Sequence, residues 1–346
     1  MMREKLVDGG YAAGWATVKL LPEPVARVLG DQVADATWRR QGKSVRRLQA
    51  NLARVRPDLT PDQLRELSRA GMRSYLRYWM ESFRLPVWND RKIADRVQVD
   101  GIEHLTAAMD AHRGAVIALP HMGNWDLAGA WVVRHLGYTF TTVAERLKPE
   151  SLFDRFVAYR EGLGMEVLAL TGGGVSVIGT LARRLREGKL VCLVGDRDLS
   201  DAGVPVDFFG EPAKMPAGPA LLAQRTGAAL LPVTLWYEGG VMRGTIHPPV
   251  EPPEGLERQE AVLAMTQQVA GVWEAGIRRH PQDWHMLQRF WPADLPARAA
   301  QEPGRPGQLE EPGRPERRER SEGPEQPEGR ERPEEPEKSA EPTPQA

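Results

Sequence analysis

The sequence predicts an α/β fold, with a mixed, mostly parallel sheet flanked by helices, and three observations carry that prediction. From about Val97 short apolar runs of strand length alternate with helical stretches, the pattern of a layered α/β fold. The first 90 residues carry helical periodicity alone, and after Leu295 the composition collapses to Pro, Glu, Arg and Gly. The 346 residues therefore divide into a helical region at 1–90, an α/β domain at 91–295 and a disordered tail at 296–346.

In the helical region, Tyr11, Trp15, Val18, Leu21 and Val25 recur three or four apart, marking one apolar face from Tyr11 to Leu29 that Pro22 and Pro24 break. A second, arginine-rich helix is expected from Asp31 to Arg54, ended by Pro57. Thr60, Pro61 and Gln63 form a capping-box pattern that opens a third helix. Two readings remain open for this region. One is a helical subdomain packed on the core. The other is an interfacial platform that associates peripherally with an anionic membrane.

The expected strands are Ala115–Leu119, Thr139–Ala144, Glu166–Leu170, Leu190–Val194, Leu230–Trp236 and Met242–His247. Helices are expected between them at Asp126–Leu136, Pro149–Leu163, Val175–Glu187, Pro216–Arg225 and Arg258–Arg279. The tail holds no aromatic residue and cannot bury enough apolar area to offset its ordering entropy.

The net charge of -1 hides an asymmetry. Thirteen Glu face eight Arg or Lys after residue 300, leaving 38 basic against 34 acidic residues before it. That mild basic excess suits a phospholipid surface or a phosphate-bearing donor, and no nucleic-acid signature appears. The single cysteine, Cys192, excludes a disulfide framework. No signal peptide and no spanning helix are expected, since no apolar run reaches about 18 residues.

The stretch AVIALPHMGNWDLAGAW at 115–131 organises the rest. It reads as a strand, a sharp loop and a helix start, with His121 at the strand end and Asp126 five residues on. Five residues along one helix turn the side chains roughly 140° apart, so the pair meets only if the loop folds back. A neutral His takes a proton from a hydroxyl near pH 7, and a carboxylate on its other nitrogen fixes the tautomer. Backbone amides at the helix start are candidates for holding an oxyanion. The alternative for Asp126 is a plain helix-terminal charge.

LPHMGNWDLAGAW, VAERLKPESLFDRFVAYREGLGMEV at 143–167, LVGDRDLSDAGVPVDFFGEPAKMPAGPALLA at 193–223 and HPQDWHMLQRFW at 280–291 together resemble the bacterial lipid A lauroyl/myristoyl acyltransferase family. The nearest branch is the actinobacterial one, whose acceptor is a phosphatidylinositol mannoside. The resemblance covers about residues 6–295. It implies His121 as general base and Asp126 as its orienting carboxylate. The acyl chain would pass directly, without an acyl-enzyme, from acyl-CoA or acyl carrier protein to a mannose hydroxyl of the glycolipid, at the cytoplasmic face of the plasma membrane. Acyl-CoA is a co-substrate, and no resident cofactor is expected. The same chemistry on a lipid A precursor, and a non-catalytic membrane scaffold, are the alternatives.

Other residues fall at strand ends. The resemblance implies that Glu145 and Arg160 line the groove beside the histidine, where the bland alternative is a surface ion pair. Asp196 and Arg197 at the end of LVCLV read as a polar wall that orients the acceptor, with a metal site weighed and set aside. Lys214 reads equally as a phosphate contact or an exposed lysine. Thr171 to Val175 reads as a turn, and Trp284, Phe290 and Trp291 as packing around a family-like His285.

Overall fold

The computed structural model describes residues 18–146, 149–171, 176–198 and 203–294. Contacts divide the chain into one unit at 1–300 and another at 301–346. The tail, most of the 171–175 turn, and Tyr11 and Trp15 lie outside the described residues.

Residues 18–20 are helical, and the chain breaks at Pro22 as the sequence predicts. The next helices differ from expectation. Helix α1 spans Glu23–Arg39, with Pro24 in its first turn, where no amide partner is needed. Helix α2 spans Lys43–Val55. The two are separate because Gln41 takes a left-handed φ of 48°. Helix α3 spans Pro61–Arg84, and the capping box forms: the Thr60 side chain accepts from the Gln63 amide, and Gln63 Oε1 accepts from the Thr60 amide.

The elements that follow are α4 (Asp90–Asp95), β1 (Val97–Asp100), α5 (Ile102–Asp110), β2 (Ala115–Leu119), α6 (Trp125–Arg134), β3 (Phe140–Ala144), α7 (Glu150–Gly162), β4 (Glu166–Ala169), α8 (Val177–Arg186), β5 (Leu190–Val194), β6 (Val204–Phe208), β7 (Glu211–Met215), α9 (Gly218–Thr226), β8 (Ala229–Glu238), β9 (Val241–Ile246) and α10 (Arg258–Arg279). The main sheet has the order β1-β9-β8-β2-β5-β3-β4. Its pairings are parallel except β8 with β9.

Strand β2 is central and buried along its whole length. Its residues serve two cores in alternation, as a pleated strand requires. Val116 and Ala118 pack with Leu185 of α8, Leu222 of α9 and Trp273 of α10. Ile117 and Leu119 pack on the other face with Leu127 and Trp131 of α6 and Leu105 of α5. Helices thus cover both faces.

Three short pieces escape the sequence pattern: β1, α4 and α5. So does the β6–β7 hairpin, which turns at Phe209 and Gly210 with φ of 56° and 76°. Two positive φ values make a primed hairpin turn, and Phe-Gly is not its usual Asn-Gly signature. Lys214 therefore lies exposed on β7, and α9 begins only at Gly218.

The helical region is tied to the segment that follows α10. Asn51 Nδ2 donates to the carbonyls of Met286 and Gln288, both at 2.8 Å. Arg54 forks onto Glu211 and Asp294. Helix α1 faces α3 with Ala26, Gly30 and Ala34, and a Cβ on Gly30 would lie 3.1 Å from Met80. Its larger apolar residues, Val25, Val28, Leu29 and Val33, face outward instead.

Candidate active site

Parallel strands put their carboxyl ends on one edge, where open α/β sheets bind ligands. The neighbours β2, β5 and β3 deliver His121, Asp196 with Arg197, and Glu145 to that edge. The loop after β2 is tightly built. Gly123 has a φ of 61°, and a Cβ there would meet Leu235 at 2.8 Å, so only glycine fits. Asn124 caps α6 by accepting from the Leu127 amide and donates its side-chain amide to Glu81.

His121 Nδ1 lies 2.5 Å from Asp196 Oδ1, and the His121 amide donates to Asp196 Oδ2 at 3.0 Å. Trp284 Nε1 donates to the same Oδ2 at 2.9 Å. Asp196 is fully buried. Burial alone would push its carboxyl up, but the His121 ring, the Trp284 indole and the His121 amide outweigh it and hold the group below the usual carboxylate range. An ionised Asp196 makes Nδ1 the protonated nitrogen of neutral His121. Nε2 is then a lone-pair nitrogen, with no partner among the described residues.

The expected partner of His121 is thus corrected. Asp126 is buried at the start of α6, but its Oδ1 accepts from Arg160 Nε at 2.9 Å and its Oδ2 from the Tyr78 hydroxyl at 2.8 Å. The loop does fold back, yet the first turn of α6 aims Asp126 at α3 and α7. Arg160 holds Asp126 through its guanidinium and also borders the cavity described below. Asp196, expected to face the acceptor, has both oxygens occupied inside the protein. At the start of α6 the Leu127 amide is taken by Asn124 Oδ1, and in the loop before it the amides of His121, Met122 and Gly123 donate to Asp196, Pro120 and Asp283.

Glu145 and Arg197 form an ion pair at 2.8 Å, and Arg197 also reaches Gln288. Glu145 is 49% exposed. Asp198 accepts from the Gly203 amide, and among the described residues no group of three His, Cys, Asp or Glu is placed to hold a metal.

Sequence reasoning took residues 283–285 as packing. They run beside the histidine loop in an antiparallel bridge, Met122 with Trp284. Gly123 donates to the Asp283 carbonyl at 2.9 Å, and the His285 amide donates to the His121 carbonyl at 2.7 Å. Ser74 Oγ donates its one proton to Asp283 Oδ1 at 2.5 Å, so it accepts from His285 Nε2 at 2.9 Å. Burial pulls His285 down to about 3 and pushes Asp283 up to about 6. Tyr78 was missed as well, and no local signal marks it, since it lies 48 residues from Asp126.

Beside the histidine an apolar cavity runs along the sheet. Trp125, whose ring centroid is 5.4 Å from that of His121, lines it with Ile117, Gly129, Phe140, Met165 and Leu235, while Asp126 and Arg160 border it. Cys192 also lines it, and burial pushes its thiol far up, leaving no thiolate for nucleophilic attack.

Comparison with known proteins now adds to this geometry. The profile of the bacterial lipid A biosynthesis acyltransferase family matches residues 5–292. The chain is 49% identical over 292 residues to the phosphatidylinositol mannoside acyltransferase of Mycolicibacterium smegmatis (strain ATCC 700084 / mc(2)155), covering 84% of this chain and 93% of the relative. It is 50% identical over 294 residues to the protein of the same name from Mycobacterium tuberculosis (strain CDC 1551 / Oshkosh), covering 83% and 89%. The edge at which β2, β5 and β3 converge therefore lies in an O-acyltransferase, and the chain belongs to the bacterial lipid A biosynthesis acyltransferase family.

Proposed function

We propose that this enzyme transfers a long acyl chain from acyl-CoA to a mannose hydroxyl of a phosphatidylinositol mannoside. The observation that carries the reading is His121, with Nδ1 on buried Asp196, Nε2 without a partner among the described residues, and its ring packed on Trp125, which lines an apolar cavity. The acyl chain lies in the cavity. Nε2 takes the proton from the mannose hydroxyl as its oxygen attacks the thioester carbonyl. Asp196 stabilises the imidazolium that forms. The tetrahedral adduct collapses, the C–S bond breaks, and the departing thiolate takes the proton back from Nε2. No acyl-enzyme forms, in keeping with the suppressed Cys192 thiolate. Exposed Glu145, oriented by Arg197, offers its carboxylate to acceptor hydroxyls. Acyl-CoA is a co-substrate, not a resident cofactor.

The acceptor is a membrane lipid, so the enzyme works at the cytoplasmic face of the plasma membrane, attached peripherally. Among the described residues no helix is long and apolar enough to cross a membrane. Helix α1 supports surface attachment because its faces are inverted for a soluble helix. Small residues face the protein, while Val28 is 56% exposed and Leu20, just before the helix, is 85% exposed. Arg39, Arg40, Lys43 and Arg46 are exposed close by. A Val25→Glu, Val28→Glu, Val33→Glu variant should bind anionic vesicles about tenfold more weakly or worse, yet acylate detergent-dispersed acceptor at the normal rate. Co-sedimentation checks this, and unchanged binding would sink the platform.

The acceptor is tested by incubating purified protein with palmitoyl-CoA and either a phosphatidylinositol mannoside or a lipid A precursor, then weighing the products. An ester on the mannoside is expected. Acylation of the lipid A precursor alone would overturn the assignment.

A further inference from the structure

We propose that Trp284 is a positioning residue for the His121–Asp196 pair, and that its indole N–H, not its bulk alone, is what the reaction needs. The inference rests on the reading of His121 as the base. Asp196 divides its two oxygens: Oδ1 meets the imidazole, and Oδ2 accepts the Trp284 indole and the His121 amide. Two donors on one oxygen fix the plane of the carboxylate and so the line along which Oδ1 meets Nδ1. They also satisfy a charge that is fully removed from water.

The indole is itself held in place. Its ring is fully buried and packed edge-on by Phe290 and Trp291, with centroids 5.4 and 6.2 Å away. Its main chain is bridged to Met122, with flanking bonds to Gly123 and His121. One residue therefore clamps both the backbone that carries the base and the carboxylate that orients it. Trp284 is fully buried and is not among the residues that line the cavity, so its assigned role is positioning. Among the described residues the charged and titratable groups near the pair are His285, kept neutral by burial, Asp283, which bonds Ser74, and the Glu145–Arg197 ion pair at the same sheet edge, and none of them bonds Asp196.

Trp291 is a built-in control. It is equally buried and aromatic, but its indole N–H goes to the Phe208 carbonyl at 3.3 Å. In the full-length enzyme, Trp284→Phe keeps an aromatic ring and removes the donor. The expected result is a kcat lower by about 10- to 100-fold, comparable to the loss of an outer-shell hydrogen bond in a catalytic site. KM for palmitoyl-CoA and for acceptor should stay unchanged. The acid limb of kcat/KM should move up by about one pH unit, because the pair binds a proton more tightly once a donor is lost. Trp291→Phe should leave the pH profile in place, whatever it does to thermal stability.

If Trp284→Phe does not fold, 3-benzothienylalanine at position 284 replaces the N–H by sulfur in the same shape, and the same shift is expected. A folded protein with either change and a wild-type acid limb, or with its whole loss in KM, overturns the inference. His121→Ala in the same assay separates the two ideas. If it stays active, the base assignment fails. If it is inactive while Trp284→Phe behaves as wild type, only the role of Trp284 fails.

Discussion

Replacing His121 by alanine should lower acyl transfer by about 10³- to 10⁴-fold, the share of a rate that a positioned base backed by a carboxylate supplies. The fold should survive. The ring is 31% exposed, so its removal opens no deep cavity. Asp196 keeps two of its donors, the Trp284 indole and the residue 121 amide, which alanine retains. The measurement is product formation by mass, beside a thermal melt of the same sample. Retention of more than a tenth of the activity would refute His121 as the base. Asp196→Asn should fall in the same direction, since an amide neither fixes the Nδ1–H tautomer by charge nor stabilises the imidazolium.

Asp126→Ala should fail in a different way, through stability. Asp126 and Arg160 form a pair of which the carboxylate is almost wholly enclosed, at 3% exposure. Removing the carboxylate leaves the Arg160 guanidinium and the Tyr78 hydroxyl without their acceptor. Breaking a buried pair from one side costs about 3–5 kcal/mol. In a domain of this size that is a fall in Tm of roughly 10 °C. Removing the charge as well, in Asp126→Ala with Arg160→Met, should recover part of the loss. A single Asp126→Ala protein that melts with the wild type would show that this pair braces nothing. Both carboxylates should thus be needed for activity, and a melting curve should tell them apart.

That division explains what was legible in the sequence. The strand AVIAL, the loop after it and the helix beginning at Trp125 are local, and periodicity with Asn124 and Gly123 is enough to read them. His121 and Asp126 share that local stretch, which is why spacing paired them. The structural partner, Asp196, lies 75 residues away. It arrives because β5 pairs with β2, although β3 and β4 come between them in the chain. Strand order is decided by how the crossovers pack, and no short pattern states it. Glu145 and Arg197 were placed correctly at strand ends, but their mutual ion pair again follows from β3 lying next to β5. Tyr78 and Trp284 reach the site from α3 and from beyond α10. For Asp196, Glu145 and Arg197 the chemistry of the residue was visible and its neighbour was not, whereas nothing local to Tyr78 or Trp284 marks them as part of the site.

The segment at 283–285 bears on how the enzyme comes into being. Asp283 is tied to Ser74, 209 residues earlier, and Trp284 to Asp196, 88 residues earlier. During synthesis the sheet from β2 to β5 can pair while these residues are still to be made. The histidine then waits beside a carboxylate that lacks its indole donor, on a loop whose other edge is open. Contacts this distant in sequence form late, because loop closure must come first. Catalytic competence should therefore trail the burial of the sheet during refolding. A nascent chain stopped before Asp283 should hold bound acyl-CoA without turning it over, which keeps thioester chemistry silent until the enzyme is whole.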